Sequence, residues 1–551
     1  MAFSLNKYVA PLTVLKVVIS AILVALPGIL AGNILAGLLE WGELLAAYFG
    51  VLVLGRHLRI LGYLFSSLTT SLIVAQEWVH YFSGSYTTKL MLDNIVNVTA
   101  LGPSLPKYIA LFTAVLIISF LPVKIYRYPR AIWRGGLVLI VAIFFGLVFV
   151  SRQVTALRGT LELARAYQQA AATSAHLAEI SAKPGQTAKK FEKSSVAGGI
   201  NVGVKNPNVI VIFAEGTSRK TIESTQSHYP GLMPNLLKFS QESDNFVNYF
   251  NSTAATYRGL RSQLNSSFQY YEGYENAKTK KLINQRTNTP LISVPTILKK
   301  HGYASSFVNP EPDNSIFADY LDTLGFDKVV SGPRNSLSES STGKFLTDKN
   351  NLNLLFNQAE QFHASNKHFI VGTYTLQTHN GWNVTDNQYG NGKNAVLNKF
   401  HNLDAVFGQF LNKFMASDLK NNTILIFTTD HASYASPDYA STMNDTRDAF
   451  VSTVPLMIYY PGVKPQTIDV RGRNSLGLAP TILDLLNIDQ SKNYFLGTSL
   501  YTNKPSEYEH ISQVDGDFYS TKKGTVTNLP KSQNSVKKKI LDYESFSLNM
   551  N

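Results

Sequence analysis

No cysteine occurs in the 551 residues. That absence excludes disulfides, thiolate metal ligands and thiol nucleophiles, so a domain placed outside the membrane rests on core packing or on a bound metal. Acidic residues are also in short supply, 37 Asp and Glu against 50 Lys and Arg, for a formal net charge of +13. The excess does not point to nucleic acid, because the basic residues sit largely in loops between apolar segments and in the C-terminal tail. They read as topology signals and as contacts with anionic lipid. Long apolar runs crowd into the first 150 residues and are missing afterwards, which divides the chain into a membrane half and a water-soluble half.

Five apolar segments, about 11–31, 36–54, 58–77, 107–126 and 132–151, each approach the ~20 residues that span a bilayer. Five in succession predict a multi-pass α-helical membrane domain over 1–155. The first is not read as a cleaved signal peptide, since further spans follow without a small-residue cleavage pattern. Lys7, then Arg56 and Arg59, then Lys124, Arg127, Arg130 and Arg134 fall at every second connection between these segments, hence all on one side. The positive-inside rule then puts the N-terminus in the cytoplasm and everything after about 152 outside. Within the long outer loop 78–106, Leu90–Leu101 either lies in the interface and shapes a lipid headgroup site or is a plain connecting helix.

Residues 155–182 are rich in helix formers, and 183–207 are rich in Gly, Ser and Lys. Together, 156–207 read as a helical and flexible linker. From 208 to about 515, apolar β-rich runs at 209–214, 303–308, 369–375, 424–429 and 456–460 alternate with helical patterns at 291–300, 351–364, 396–415 and 479–487. This alternation predicts an α/β domain with a mostly parallel sheet and helices on both faces. Residues 516–551, with few apolar residues and the run Lys537-Lys538-Lys539, read as a peripheral basic tail.

The chemistry gathers at three places. The strand NVIVIFA ends in Glu215, and ILIFTT ends in Asp430-His431. The small-residue loop NSTAAT carries Thr256 at the start of a probable helix. Functional groups in open α/β sheets sit at the carboxyl ends of strands. Two carboxylates and an imidazole can converge on one cation, and this donor set suits zinc or manganese better than calcium. A threonine hydroxyl in that site can complete the shell and act as an activated nucleophile. At a helix N-terminus it would also face a developing phosphate.

The order and local sequences resemble the alkaline phosphatase/sulfatase superfamily. The shared stretches are the strand ending in Glu215, the Thr256 loop with Arg258 and Arg261, the Thr378-His379 segment, the helix with Asp404, TTDH at 428–431, VPLMIYYPG at 454–462 and LAPTILDLL at 478–486. With five preceding spans, they are most similar to its membrane-anchored branch of lipoteichoic acid synthases, phosphoglycerol transferases and phosphoethanolamine transferases. The resemblance implies Glu215, Thr256, Asp430 and His431 as ligands of one divalent metal, zinc or manganese, with Thr256 also the nucleophile. It implies His379 as a catalytic residue at the substrate phosphate or leaving group. Arg258, Arg261 and Asn309 are read as substrate-binding, with helix-surface salt bridging the alternative for the two arginines. The chain departs from the sulfatase Cys/Ser-x-Pro-x-Arg motif, from the Gly-Lys-Thr-Ser-Asp loop of lipoteichoic acid synthases, and from the disulfides of phosphoethanolamine transferases.

The activity so implied is a metal-dependent transferase. A phospho-headgroup, phosphoglycerol or phosphoethanolamine, would pass from a membrane phospholipid through phospho-threonine to an envelope glycan or glycolipid. The expected setting is the bacterial inner membrane, with the catalytic domain on the periplasmic or extracellular side as the charge pattern has it, and the protein is expected to be a monomer with no nucleic-acid partner. A membrane-bound phosphodiesterase, phosphatase or sulfatase-like hydrolase, and a non-catalytic envelope-polymer binding protein, are the competing readings.

Overall fold

The computed structural model describes residues 9–30, 38–45, 48, 59–83, 86–93, 105–122, 155–181, 189–269, 292–313, 315–332, 338–340, 343–379, 382, 384–445, 447, 449–514, 516–522 and 524–549. The chain divides into two units: Met1–Leu92 with Pro103–Gln168 and Ala435–Ala440, and Asp93–Gly102 with Gln169–Tyr434 and Ser441–Asn551.

The first unit is helical, with helices Val9–Leu30, Arg59–Ser83 and Leu105–Ser119, and with the start of Ala156–Ser181. Val24, Leu44, Ile73, Val74 and Val115 pack inside it, while Ile60, Leu68 and Ile117 point outward. Among the described residues one helix, Pro11–Leu30, is long and apolar enough to cross a membrane. The expected spans 58–77 and 107–126 fall on helices Arg59–Ser83 and Leu105–Ser119. The expected span 132–151, most of 36–54, and every flanking basic residue named above except Arg59 lie outside the described residues. Of the proposed interfacial stretch, helix Lys89–Asp93 covers only the beginning, and the rest also lies outside.

The second unit is built on an eight-stranded sheet. Its strands are β1 (Asn208–Ala214), β2 (Asp244–Val247), β3 (Ala304–Asn309), β4 (Lys328–Ser331), β5 (Phe369–Tyr374), β6 (Thr423–Thr429), β7 (Met457–Tyr459) and β8 (Gln466–Asp469), in the order β8-β2-β7-β6-β1-β5-β3-β4. Only β7 runs against the others among these strands. Every residue of β1, β5 and β6 is buried, as expected for central parallel strands covered on both faces. Helices Asp348–Ala364 and Ala395–Ala416 cover the sheet. The mostly parallel α/β architecture read from the sequence is observed.

Two expectations about the edges of this domain change. Residues 189–207, expected to be flexible, are tied to it. Lys193–Ser195 pairs with Gln490–Asn493, the Ala197 N–H donates to Asp489 at 2.8 Å, and the Gly198 N–H donates to Asp484. The segment after 515 is folded rather than peripheral. Strands Ile511–Val514, Asp517–Ser520 and Thr527–Asn528 form an antiparallel sheet across the expected boundary. Helix Asn534–Asn549 then buries Ile540, Tyr543 and Glu544. Composition hid this, because Val536, Ile540 and Tyr543, which share one face of the helix and pack into the domain, are interspersed with lysines and other polar residues. The lysine run sits on the other side of that bargain: Lys537 lies 4.8 Å over Phe518, and Lys539 pairs with Glu507 at 2.7 Å.

Candidate active site

The pairing of β1 with β6 assembles the site. Val211 stands opposite Ile426, and Ala214 opposite Thr429. One residue further, each strand delivers its ligand group, so Glu215 emerges level with Asp430 although they are 215 positions apart. On the other side of β1, the loop after β5 holds Glu215 in place. Its N–H donates to Thr375 Oγ1 at 2.9 Å, and the Thr378 hydroxyl donates to its carbonyl at 2.6 Å.

The side chains then converge. His431 Nε2 lies 3.6 Å from Glu215 Oε1 and 3.5 Å from Asp430 Oδ2. One ligand atom from each of the three residues falls within 4.8 Å of the other two. All three are buried. The Thr256 hydroxyl, at the first residue of helix Thr256–Asn265, donates to Glu215 Oε2 at 2.9 Å and is only half-buried. Asp430 Oδ1 accepts from the Gly216 and His431 N–H groups at 2.9 and 2.7 Å, whereas Oδ2 has no hydrogen-bond partner. Burial, then the neighbouring Glu215, push the Asp430 carboxyl up to about 7. Burial opposes a charge on His431, but Asp430 and Glu215 outweigh it and raise the imidazole.

Two adjacent buried carboxylates, an orphaned oxygen and a facing imidazole form a donor set that fits a divalent cation. Two glycines permit the geometry. Gly216 turns the chain after Glu215 with φ of +48°. At Gly259 a Cβ would sit 2.1 Å from the Asp430 carbonyl oxygen, so only glycine lets the Thr256 helix pass so close. Gln263 Nε2 fastens the same helix by donating to the Thr429 carbonyl at 2.8 Å.

Residues 207–488 match the family described as Sulfatase, just over half of the chain. The chain belongs to the sulfatase family. Its resemblance to the alkaline phosphatase/sulfatase superfamily is therefore borne out. An alkaline phosphatase superfamily protein from Vibrio parahaemolyticus shares the fold, with TM-score 0.50 and 19% identity over 65% of this chain and 88% of that one. The lipoteichoic acid synthase LtaP from Listeria monocytogenes aligns with TM-score 0.47 and 17% identity over 67% of this chain and 95% of that one. The integral membrane lipooligosaccharide phosphoethanolamine transferase EptA from Neisseria meningitidis aligns with TM-score 0.46 and 13% identity over 86% of this chain and 97% of that one. No curated protein matches the chain.

The other predicted residues of this sulfatase-family site lie in different settings. His379 is half-buried, next to the Thr378 that touches Glu215, and its carbonyl accepts from Lys399 Nζ at 3.0 Å. Arg258 and Arg261 are 2% and 3% exposed and face the interior. Arg258 donates to the Ala254 carbonyl at 3.2 Å, lies 5.0 Å over the Tyr257 ring and interacts with Glu544. Arg261 is surrounded by Tyr320 and Tyr543. Helical spacing puts both arginines on a different face of the helix from the half-buried Thr256, where their side chains pack inside the domain. Asn309 is fully buried at the end of β3, donating to Ser331 and accepting from the Glu311 N–H and the Tyr374 hydroxyl. Asp404 accepts the Asn235 and Leu236 N–H groups at 3.1 and 2.8 Å and so caps helix Pro234–Gln241.

Sequence reading missed Ser218, Ser433 and Arg447. No motif marks them, and only the fold brings them beside the ligands.

Proposed function

We propose that this protein is a metal-dependent transferase that moves a phospholipid headgroup, phosphoglycerol or phosphoethanolamine, onto a hydroxyl of an envelope glycan or glycolipid through phospho-Thr256. The observation that carries this reading is the Thr256 hydroxyl. It is half-exposed at a helix N-terminus and aimed at Glu215 Oε2, beside Asp430 and His431. Glu215, Asp430 and His431 would hold the cation, zinc or manganese, with Thr256 completing the set. Bound there, such an ion supplies positive charge that lowers the hydroxyl's pKa and offsets charge on the phosphoryl group.

The chain's own groups do the rest. The Thr256 proton is directed at Glu215. Thr256 Oγ1 forms a bond to phosphorus as the diacylglycerol oxygen leaves, and that oxygen takes a proton from His379 or from water. The N–H groups opening helix Thr256–Asn265 favour the phosphoryl oxygens. An acceptor hydroxyl then attacks phosphorus and passes its proton to His379 or water, while the Thr256 oxygen leaves and takes back the proton held by Glu215. Double displacement divides one difficult transfer into two easier ones.

Membrane placement draws support from the N-terminal unit. Helix Pro11–Leu30 is apolar enough to cross a bilayer. The Tyr86 hydroxyl donates to Glu40 and Glu77, and the Thr155 hydroxyl donates to Glu43. The charge pattern assigns these five residues, at the ends of three expected spans and in the outer loop, to one side of the membrane, and their contacts agree with that assignment. The site would then work on outer-leaflet lipid at the surface of the cytoplasmic membrane.

The test is mass spectrometry of intact protein incubated with phosphatidylglycerol or phosphatidylethanolamine vesicles without acceptor. An adduct on Thr256 whose mass equals one headgroup phosphate is expected, discharged when a sugar acceptor is added. Discharge by water alone at the same rate favours a phosphodiesterase. No adduct from either lipid, together with unchanged function in Thr256→Ala, would favour a non-catalytic binding protein.

A further inference from the structure

Glu215 and the Asp430–His431 pair arrive on different strands, and metal affinity depends on how firmly those strand ends are held together. Each ligand is followed by a serine that faces the other loop. The Ser218 N–H donates to Ser433 Oγ at 2.9 Å, and the Ser433 N–H donates to Ser218 Oγ at 2.9 Å. Both serines are buried. A third segment closes this reciprocal pair. Arg447 Nη1 donates to Ser218 Oγ at 3.3 Å, and Nη2 donates to the Ser433 carbonyl. Asp445 Oδ2 lies 3.7 Å from Nη2, within ion-pair distance of the guanidinium. Ser218 Oγ thereby accepts two hydrogen bonds, which fills its acceptor capacity.

We infer that Arg447 is a positioning residue. With Ser218 and Ser433 it forms a clasp that fixes the separation of Glu215 from Asp430 and His431, and through that separation the affinity for the divalent cation. This rests on the metal site proposed above. The chemistry suits arginine in particular. Its planar fork reaches two acceptors at fixed spacing, one on each ligand loop, which a lysine ammonium on a flexible stem does not reproduce. Neither serine nor Arg447 is itself a ligand, and the clasp acts by geometry, as outer-shell hydrogen bonds around metal ligands do, even though the Arg447 charge itself also reaches His431.

The experiment measures zinc dissociation from the full-length protein in detergent, by competition with a chromophoric chelator, alongside the thermal midpoint of the metal-stripped protein. Arg447→Gln is expected to weaken zinc binding roughly 10- to 100-fold, the usual effect of losing an outer-shell partner, while the metal-free midpoint stays near that of the wild type. Arg447→Lys should recover little of the loss. Ser218→Ala should weaken binding alone but add little to Arg447→Gln, because both remove one shared interaction. Unchanged zinc affinity in Arg447→Gln overturns the inference, even if KM rises, since that pattern belongs to a substrate-binding arginine. A loss of affinity matched by an equal loss of metal-free stability, or strict additivity with Ser218→Ala, overturns it as well. Where Arg447→Gln does not fold, Ser433→Ala carries the same expectation through the other loop. A wild-type protein that binds no zinc or manganese sinks the metal site itself, whereas wild-type binding with an indifferent Arg447→Gln sinks only the clasp.

Discussion

Both units of this protein bury clustered carboxylates, and the contrast between the clusters shows what makes one of them a candidate site. In the N-terminal unit, Glu40, Glu43 and Glu77 are 1%, 3% and 2% exposed. Glu40 accepts the Ala156 N–H at 3.0 Å, and Glu43 accepts the Leu157 N–H at 2.9 Å, so these acids cap the helix that begins there. Tyr86 covers Glu40 and Glu77. In the sulfatase-family unit, Glu215 and Asp430 meet an imidazole and a half-exposed hydroxyl. An orphaned oxygen does not separate the clusters, because Glu40 Oε2 lacks a partner just as Asp430 Oδ2 does. Convergence separates them. Among the described residues, only Glu215, Asp430 and His431 place three ligand atoms within 4.8 Å of one another. Buried acids that receive a helix N-terminus are structural. Buried acids that face each other, an imidazole and an open hydroxyl are poised for a cation.

The strongest way to break this contrast is Thr256→Ala. Loss of the nucleophile should lower headgroup transfer by about 10³-fold or more, with zinc still bound through the three remaining ligands. Transfer within tenfold of the wild type would remove Thr256 from the mechanism. Gly259→Ala comes next. Its Cβ would meet the Asp430 carbonyl oxygen at 2.1 Å, so a destabilisation of about 1–3 kcal/mol and weaker zinc binding are expected together in thermal unfolding and chelator competition. An unaltered variant would show that the helix can retreat from Asp430 without consequence.

A buried acid outside both clusters sharpens the comparison. Burial pushes the Glu544 carboxyl up to about 8, against the pull of Gln513 and Arg258. A carboxyl whose folded pKa lies above its unfolded value of 4.5 favours folding most at low pH. Stability should therefore fall as pH rises from about 4.5 to about 8, by up to about 1.4 kcal/mol per pH unit from this group. Glu544→Gln should flatten that decline in thermal midpoints taken across the range, and an unchanged slope would mean that Glu544 is ionised in the fold. The smallest effect is expected from Glu43→Gln. Losing one acceptor at the helix cap should cost about 1 kcal/mol in the N-terminal unit and leave zinc affinity where it was. A fall in zinc affinity would mean that the two clusters are coupled after all.

Much of this was legible in the chain. The β-branched runs at 209–214 and 424–429 became strands β1 and β6 nearly residue for residue, because such runs fit only a strand covered on both faces. Glu215, Asp430 and His431 were visible as polar residues following those runs. Arg258 and Arg261 were less legible, because charge near a nucleophile suggests substrate contact, while their burial inside the domain follows from the turn of the helix and the packed fold. The C-terminal helix misled for the opposite reason, since a composition averaged over the tail dilutes one buried face.

By itself, the sequence determined which segments are strands and which groups could hold a cation, since both depend on local pattern and on the chemistry of single residues. The tertiary structure alone decided that residue 215 stands level with residue 430. That follows from β1 pairing with β6 in one register, and a one-residue slip would turn every side chain of a strand to the other face. It also decided that Ser218, Ser433 and Arg447 close around the ligands. Hydrogen bonds between segments distant in the chain leave no periodicity in sequence, because only the packed fold sets the distance between them.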